Sequence, residues 1–195
     1  RYGCFQKVLK QINENEGGLE KFSRGYEKFG FHVNQDNSVT VHEWAPGAQA
    51  LFVKGDFNDW NKTSHPMKKL EFGKWEITIP AKEDGSCPIP HMSRVKFGVA
   101  PENKVGMLDP KDMMVDRLCP WATYVVQPAK DQGVAYQHHF YNPPEDQRYK
   151  FKHSRPKKPR SLKVYECHVG IAAQDPKIGT YKEFTQNVLP RVKGL

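Results

Sequence analysis

The feature that most constrains this sequence is a series of short alternating runs between residues 31 and 141. Apolar and polar side chains alternate within five of them: 38–44, 50–54, 75–79, 94–99 and 123–127. Successive side chains of a strand point to opposite faces, so this alternation predicts strands with one buried face. Clusters of Gly, Pro, Asn and Asp separate the runs and favour tight turns. We therefore predict a mainly β fold, with an antiparallel β-sandwich over residues 31–141.

Residues 1–30 have a helical periodicity instead. Their apolar side chains recur three and four positions apart, first at Phe5, Val8, Leu9 and Ile12, and then at Leu19, Phe22 and Tyr26. This spacing places them on one face of a helix. The pair Gly17-Gly18 separates the two stretches, because glycine readily adopts the left-handed backbone angles that end helices. The sequence therefore predicts an N-terminal segment of two helices.

Residues 142–160 combine prolines with a basic run. Seven Lys and Arg side chains fall between residues 148 and 160 without an acidic one, and they account for most of the net charge of +8. A basic run can mark a nucleic-acid footprint. This one has no recognition helix and only Phe151 as an interleaved aromatic, and its prolines resist helix and central strand alike. A linker between domains is the favoured interpretation, with no nucleic-acid partner.

Residues 161–195 have the pattern of one βα unit. The run 161–166 is typical of a strand, and Thr180 with Glu183 forms the capping-box pattern that opens a helix. Apolar side chains then share one helical face at Tyr181, Phe184, Val188 and Val192. Such a unit buries its apolar face only against neighbouring units, and eight of them close a barrel.

Composition excludes several classes of function. The 195 residues contain no apolar run of about 18, so no membrane partner is expected. The four cysteines lie far apart and the histidines lack helical partners, which argues against a metal site. No glycine-rich phosphate loop is present, and no cofactor is expected. No signal-peptide pattern opens the chain, which favours a cytoplasmic location.

Exposed aromatic rings are the candidate binding groups, because sugars pack their C–H faces on rings and their hydroxyls on polar partners. Trp75 shares strand parity with Ile77 and Ile79, which predicts a core position. Trp44 shares parity with Thr40 and His42 and is therefore expected on the polar face. It is either a sugar contact or a surface aromatic that covers the N-terminal helices.

Two turns offer further rings. Trp60 ends a turn rich in Asp and Asn, where it either projects to contact a sugar or caps the edge of the sandwich. The hairpin tip at Phe72, Gly73 and Lys74 combines a ring, a bare backbone and an ammonium group.

Four stretches together resemble the eukaryotic 1,4-α-glucan branching enzymes: EWAPGA at 43–48, GDFNDWN at 55–61, FKHSRP at 151–156 and VYECHVG at 164–170. The resemblance extends over almost the whole chain, from NENEGG at 13–18 to NVLPR at 187–191. It implies a helical segment at 1–30 and an immunoglobulin-like family-48 carbohydrate-binding module at 31–141. A linker at 142–160 would then lead into the first βα unit of a glycoside hydrolase family 13 (β/α)8 barrel, truncated at 161–195.

The resemblance also implies a site. Glucan would be held between the helical segment and the module by Asn15, Glu16, Trp44, Ala45, Pro46, Glu71, Phe72, Gly73 and Lys74. Related stand-alone glycogen-binding modules use the tryptophan equivalent to Trp60, which adds a further candidate. Phe72 stands where a tyrosine is expected, so stacking is kept and a hydroxyl is lost.

The implied chemistry is that of a retaining transferase, which cleaves an α-1,4-glucan and passes the segment to a 6-hydroxyl. Its carboxylates would lie on later barrel strands, so no catalytic residue is assigned in this chain, which is expected to be inactive alone and monomeric. A debranching α-1,6 hydrolase of the same architecture is one alternative. A non-catalytic glycogen-targeting module is another. The motifs at 152–156 and 165–170 favour branching, and the βα unit argues against a targeting module.

Overall fold

A computed structural model describes residues 1–101, 113–128 and 135–194. The chain divides into two compact units, Arg1–Arg148 and Tyr149–Leu195. No helix in the described ranges is long and apolar enough to cross a membrane.

The first unit contains two antiparallel sheets. Their strands are β1 (Gly30–Val33), β2 (Val39–Trp44), β3 (Ala48–Gly55), β4 (Lys68–Lys69), β5 (Lys74–Ile79), β6 (Arg94–Pro101), β7 (Val115–Arg117), β8 (Val125–Val126) and β9 (Gln137–His139). One sheet has the order β1-β2-β5-β4, and the other has the order β3-β6-β9-β8 with β7 paired to β6. This arrangement confirms the predicted immunoglobulin-like antiparallel β-sandwich.

Side chains from both sheets build one core. Val39 and Val41 of β2 and Leu51 and Val53 of β3 are all buried in the same cluster. Trp75 belongs to this cluster as well, which confirms its predicted core position. Each such side chain contributes roughly 1.5–3 kcal/mol when it is fully buried. The alternation read from the sequence therefore sets which side chains of β2 and β5 remain on the outer face.

Two helices precede the sandwich, as predicted. Helix α1 covers Tyr2–Glu16 and helix α2 covers Leu19–Ser23, followed by a 3-10 turn at Gly25–Glu27. Gly17 and Gly18 separate the helices with φ angles of 75° and 102°, in the region that favours glycine. Neither helix contains a fully buried residue, so their apolar side chains lie partly at the surface.

The second unit contains α3 (Tyr181–Asn187) and α4 (Leu189–Lys193). Thr180 and Glu183 form the predicted capping box at the start of α3. The predicted single helix is interrupted at Val188, because Pro190 in the first turn of α4 has no N–H for a helical bond. No residue between 149 and 194 is fully buried.

The strand predicted at 161–166 does not form. A strand requires a ladder of hydrogen bonds to a neighbouring strand, and between residues 149 and 194 the structure contains none. The apolar side chains Leu162, Val164 and Tyr165 remain exposed as a consequence. The assignment of this unit to a barrel stays a prediction.

Hydrogen–deuterium exchange should distinguish the two units. Amides of β2 and β5 are hydrogen-bonded beneath buried side chains, whereas residues 161–166 are unpaired. We expect the amides of 161–166 to exchange at close to the unprotected rate while β2 and β5 remain protected. Comparable protection of 161–166 and β5 would show that a strand forms in solution.

His138 should make stability depend on pH. Burial, with a smaller contribution from His139, lowers the pKa of His138 to about 4 from its ordinary 6.5. The unfolded chain therefore binds a proton that the folded chain rejects, so stability is complete above pH 6.5 and falls as the pH drops towards 4. The total loss is about 3 kcal/mol.

The measurement is the melting temperature of the parent chain and of His138→Leu, which cannot titrate, at pH 7 and pH 5. We expect a smaller acid-induced drop for the variant. Other acid-sensitive groups are shared by the two proteins and cancel in the comparison. Equal drops would contradict a role for His138.

Candidate functional site

Strand pairing brings two distant turns together. Strand β2 ends at Trp44 and β5 begins at Lys74, and these two residues are direct partners in the antiparallel ladder. The turn that follows β2 therefore lies beside the 3-10 turn Glu71–Gly73 that precedes β5. The candidates Ala45, Pro46, Glu71, Phe72 and Gly73 all lie on these two turns.

Two hydrogen bonds fix the turns. The backbone N–H of Ala45 donates to the carbonyl oxygen of Gly73 at 2.9 Å. The indole Nε1–H of the buried Trp75 donates to the carbonyl oxygen of Ala45, also at 2.9 Å. The buried side chain of Trp75 therefore fixes the position of the surface turn at Ala45.

Gly73 allows the closest approach between the turns. Its φ is 73°, and a Cβ atom built there would lie 2.6 Å from Cβ and 2.7 Å from Cα of Pro46. Both the backbone angle and the contact distance exclude a larger side chain.

Trp44 and Phe72 place two aromatic rings at the surface. The indole Nε1–H of Trp44 donates to the carbonyl oxygen of Phe72 at 2.9 Å. Trp44 is 59% exposed and Phe72 is 57% exposed. Phe72 has a φ of 57°, an unfavourable region for a bulky side chain. The structure thus maintains a strained backbone and two exposed rings at one position.

An ion pair connects α1 to these turns. The Nζ atom of Lys74 lies 2.5 and 2.6 Å from the two carboxylate oxygens of Glu16, and both side chains are mostly buried. The same Nζ lies 5.7 Å from the ring centroid of Phe72. Glu16 is the last residue of α1 because Gly17 turns the chain away in the left-handed conformation. Asn15 is exposed beside it, and its amide donates to the carbonyl oxygen of Gln11.

Glu43 is a residue of this region that the sequence reasoning missed. It is buried, and its Oε1 accepts a 2.8 Å hydrogen bond from the backbone N–H of Trp44. Burial raises the pKa of Glu43, and burial beside this carboxyl raises the pKa of Cys119 to about 12. The Cys119 thiol is therefore protonated at neutral pH and is no nucleophile. Strand parity with Val39 and Val41 was the available signal for a buried Glu43.

Trp60 lies apart from this group. It follows the far end of β3, whose eight residues are separated by seven steps of about 3.4 Å, or about 24 Å from first to last. Its Nε1–H donates to Asp56 at 3.0 Å, and the Arg94 guanidinium lies 5.5 Å from its ring centroid. Hydrogen bonds from Arg94 hold the pKa of Asp56 below its ordinary value. The structure thus brings the other candidates together and leaves Trp60 in a separate cluster.

The grouped side chains are suited to binding. Two rings, an ammonium group and a carboxylate lie around one surface. Within residues 1–101, 113–128 and 135–194, no group of three His, Cys, Asp or Glu side chains could hold a metal ion. The arrangement offers stacking faces and charged hydrogen-bonding groups for a polar ligand.

Comparison with known proteins gives a consistent result. Residues 28–122 match carbohydrate-binding module 48, the isoamylase N-terminal domain. The whole chain is 50% identical to the 1,4-alpha-glucan-branching enzyme of Equus caballus, covering 26% of that protein. It is 46% identical to the branching enzyme of Rhizophagus irregularis, covering 27%. It is 43% identical to the chloroplastic/amyloplastic 1,4-alpha-glucan-branching enzyme 2-2 of Arabidopsis thaliana, covering 23% of that protein. The chain thus spans about a quarter of these relatives, and the match to the module begins after Glu16.

Gly73→Ala should disrupt the joined turns. The added methyl group would meet Pro46 and force an unfavourable φ, so we expect a destabilisation of about 2–3 kcal/mol in urea unfolding. Gly85→Ala is the matched control, since Gly85 has a φ of 77° and a methyl group added there would meet no atom within 4 Å. It should lose only about 1 kcal/mol. Equal losses would show that the contact with Pro46 contributes nothing.

Proposed function

We propose that this chain, which belongs with the 1,4-alpha-glucan-branching enzymes and carries a carbohydrate-binding module 48, binds an α-1,4-glucan where α1 meets the two joined turns. The observation that carries the proposal is the pair of exposed rings at Trp44 and Phe72, fixed by the Trp44 Nε1 bond to the Phe72 carbonyl. The proposed contacts are Asn15, Glu16, Trp44, Ala45, Pro46, Glu71, Phe72, Gly73 and Lys74.

The two rings supply the apolar part of this site. The indole N–H of Trp44 is already bonded within the protein, so the ring offers its faces to a ligand. Glucose presents C–H faces that pack on such rings. Because the rings are held before any ligand arrives, little side-chain entropy is lost on binding.

The ion pair supplies the polar part. Lys74 and Glu16 neutralise each other, so a neutral saccharide meets no uncompensated charge. The ammonium group donates and the carboxylate accepts, which suits hydroxyl groups that do both. Glu16 comes from the helical segment, so the proposed site requires α1 as well as the module.

The activity of a complete protein of this family is a further step. We propose that it cleaves α-1,4-glucan and transfers the segment to a 6-hydroxyl, with its catalytic carboxylates outside this chain. Residues 161–195 would be the first βα unit of the catalytic barrel. The rest of that barrel would be the partner against which this unit packs. The exposed Leu162, Val164 and Tyr165 support this proposal, because a βα unit buries such side chains only against further units. The boundaries 1–30, 31–141, 142–160 and 161–195 belong to the same proposal.

A debranching hydrolase of the same architecture is less well supported. The relatives reported above are named branching enzymes, and their similarity includes residues 161–195. That extent also disfavours a module that only targets glycogen. We further propose a cytoplasmic monomer that binds neither membranes nor nucleic acid. Trp60 is a separate proposed contact. Its N–H donates to Asp56 and its ring lies near Arg94, so it belongs to a different cluster from Trp44.

Trp44→Ala should weaken maltoheptaose binding by about 1–3 kcal/mol, as expected for loss of a stacked aromatic. Trp44→Phe keeps a ring but loses the bond to the Phe72 carbonyl, so its affinity should be intermediate. Titration calorimetry with the 195-residue chain provides the measurement. Tyr149→Ala removes an exposed tyrosine outside the site and should leave the affinity unchanged.

Unchanged affinity of a folded Trp44→Ala chain would show that Trp44 is only structural. Salt-sensitive binding of duplex DNA without any binding of maltoheptaose would overturn the proposed function altogether.

A further inference from the structure

A second aromatic surface lies on the other sheet, at the edge formed by β8 and β9. His138 and Phe140 are buried in the core, so the alternate residues His139 and Tyr141 point outward. Tyr124 precedes β8 and lies opposite His139, whose backbone N–H donates to the Tyr124 carbonyl at 3.0 Å. Strand pairing thus collects these side chains on one outer face.

Four rings form this surface, which we call the tyrosine surface: Tyr124, Tyr141, His91 and His139. The two tyrosine rings are stacked, with centroids 5.3 Å apart and planes at 14°. Their exposures are 40% and 48%. His91 meets Tyr141 edge-on at 5.2 Å, and His139 meets Tyr124 edge-on at 6.3 Å. The stack is therefore supported from two sides and remains open to solvent.

Backbone contacts fix the tautomers of both histidines. The Nδ1 of His91 accepts a hydrogen bond from the backbone N–H of Asn142 at 3.1 Å, so its Nε2 carries the proton. The Nδ1 of His139 lies 3.0 Å from the carbonyl oxygen of Met92 and must donate to it. In its neutral form His139 therefore keeps Nε2 as an acceptor. The surface offers one imidazole donor, one imidazole acceptor and two phenolic hydroxyls.

This chemistry suits a neutral polyhydroxyl ligand. The four side chains include no carboxylate, ammonium or guanidinium group, so none of them is built to select an ionic ligand. Stacked rings beside donors and acceptors match the C–H faces and hydroxyl edges of a sugar. The tyrosine surface belongs to the five-stranded sheet, whereas Trp44 and Lys74 belong to the four-stranded sheet.

We propose that the tyrosine surface is a second α-glucan contact, independent of the Trp44 site. The choice of α-glucan as the ligand rests on the proposed function, whereas the surface itself rests on the geometry of β8 and β9. Two contacts on opposite sheets allow one molecule to hold two chains of a branched polymer. Linked contacts raise avidity for a polymer far more than for a short oligosaccharide.

The test uses the full 195-residue chain with Trp44→Ala, Tyr141→Ala and the double variant. Maltoheptaose is titrated while the imidazole signals of His91 and His139 are followed by NMR, and glycogen retention is measured by affinity electrophoresis. We expect saturable imidazole shifts in Trp44→Ala that disappear in the double variant. Tyr141→Ala should bind glycogen at least about fivefold more weakly than the parent chain. Tyr141→Phe, which keeps the stack, should recover most of this loss.

Tyr149→Ala is the matched control and should leave both measurements unchanged. The outcomes separate the two proposals. If Trp44→Ala abolishes every imidazole shift and Tyr141→Ala binds glycogen like the parent chain, the tyrosine surface is no glucan contact. If Trp44→Ala is harmless and Tyr141→Ala abolishes binding, the Trp44 site is the one that fails. The Trp44→Ala shifts decide the question even if Tyr141→Ala does not fold.

Discussion

The antiparallel pairing of β2 with β5 is the constraint on which the candidate site depends. It places Val39 and Val41 inside the sandwich and leaves Trp44 and Lys74 as adjacent outward partners. Any shift of this ladder by one residue would exchange the buried and exposed faces of β2. The pairing that buries Val39 and Val41 also places Trp44 next to Lys74 on the outer face. Burial of the core therefore fixes which side chains meet at the surface.

The polar contacts above this ladder follow from it. Once Trp44 and Lys74 are paired, the turns on either side meet, and the Ala45–Gly73 and Trp44–Phe72 bonds become possible. The left-handed backbone of Phe72 costs free energy, which the surrounding contacts offset. Strain of this kind persists where the neighbouring structure determines the backbone, as the hydrogen bonds at both ends of the turn do here.

Local patterns predicted the parts of the fold that depend on neighbours in sequence. Alternation placed Trp75 inside and Trp44 outside, and helical spacing located α1. Contacts between distant residues could not be read in this way: Lys74 and Glu16 are 58 positions apart. The strand predicted at 161–166 failed for the related reason that a strand depends on a partner, whereas the Thr180–Glu183 capping box depends only on adjacent residues and formed as predicted. The stack of Tyr124 on Tyr141 likewise required the register of β8 and β9.

The ion pair between Glu16 and Lys74 bears on how such a module can be dissected. A fragment trimmed to residues 28–122, the extent of the family match, would keep the lysine and discard the glutamate. Its ammonium group would then lack the carboxylate that it contacts in the longer chain. The glucan site proposed above would therefore need a fragment longer than residues 28–122. Under that proposal, a failure of the 28–122 fragment to bind glucan would reflect the missing Glu16 of α1, and the sandwich itself could still be intact.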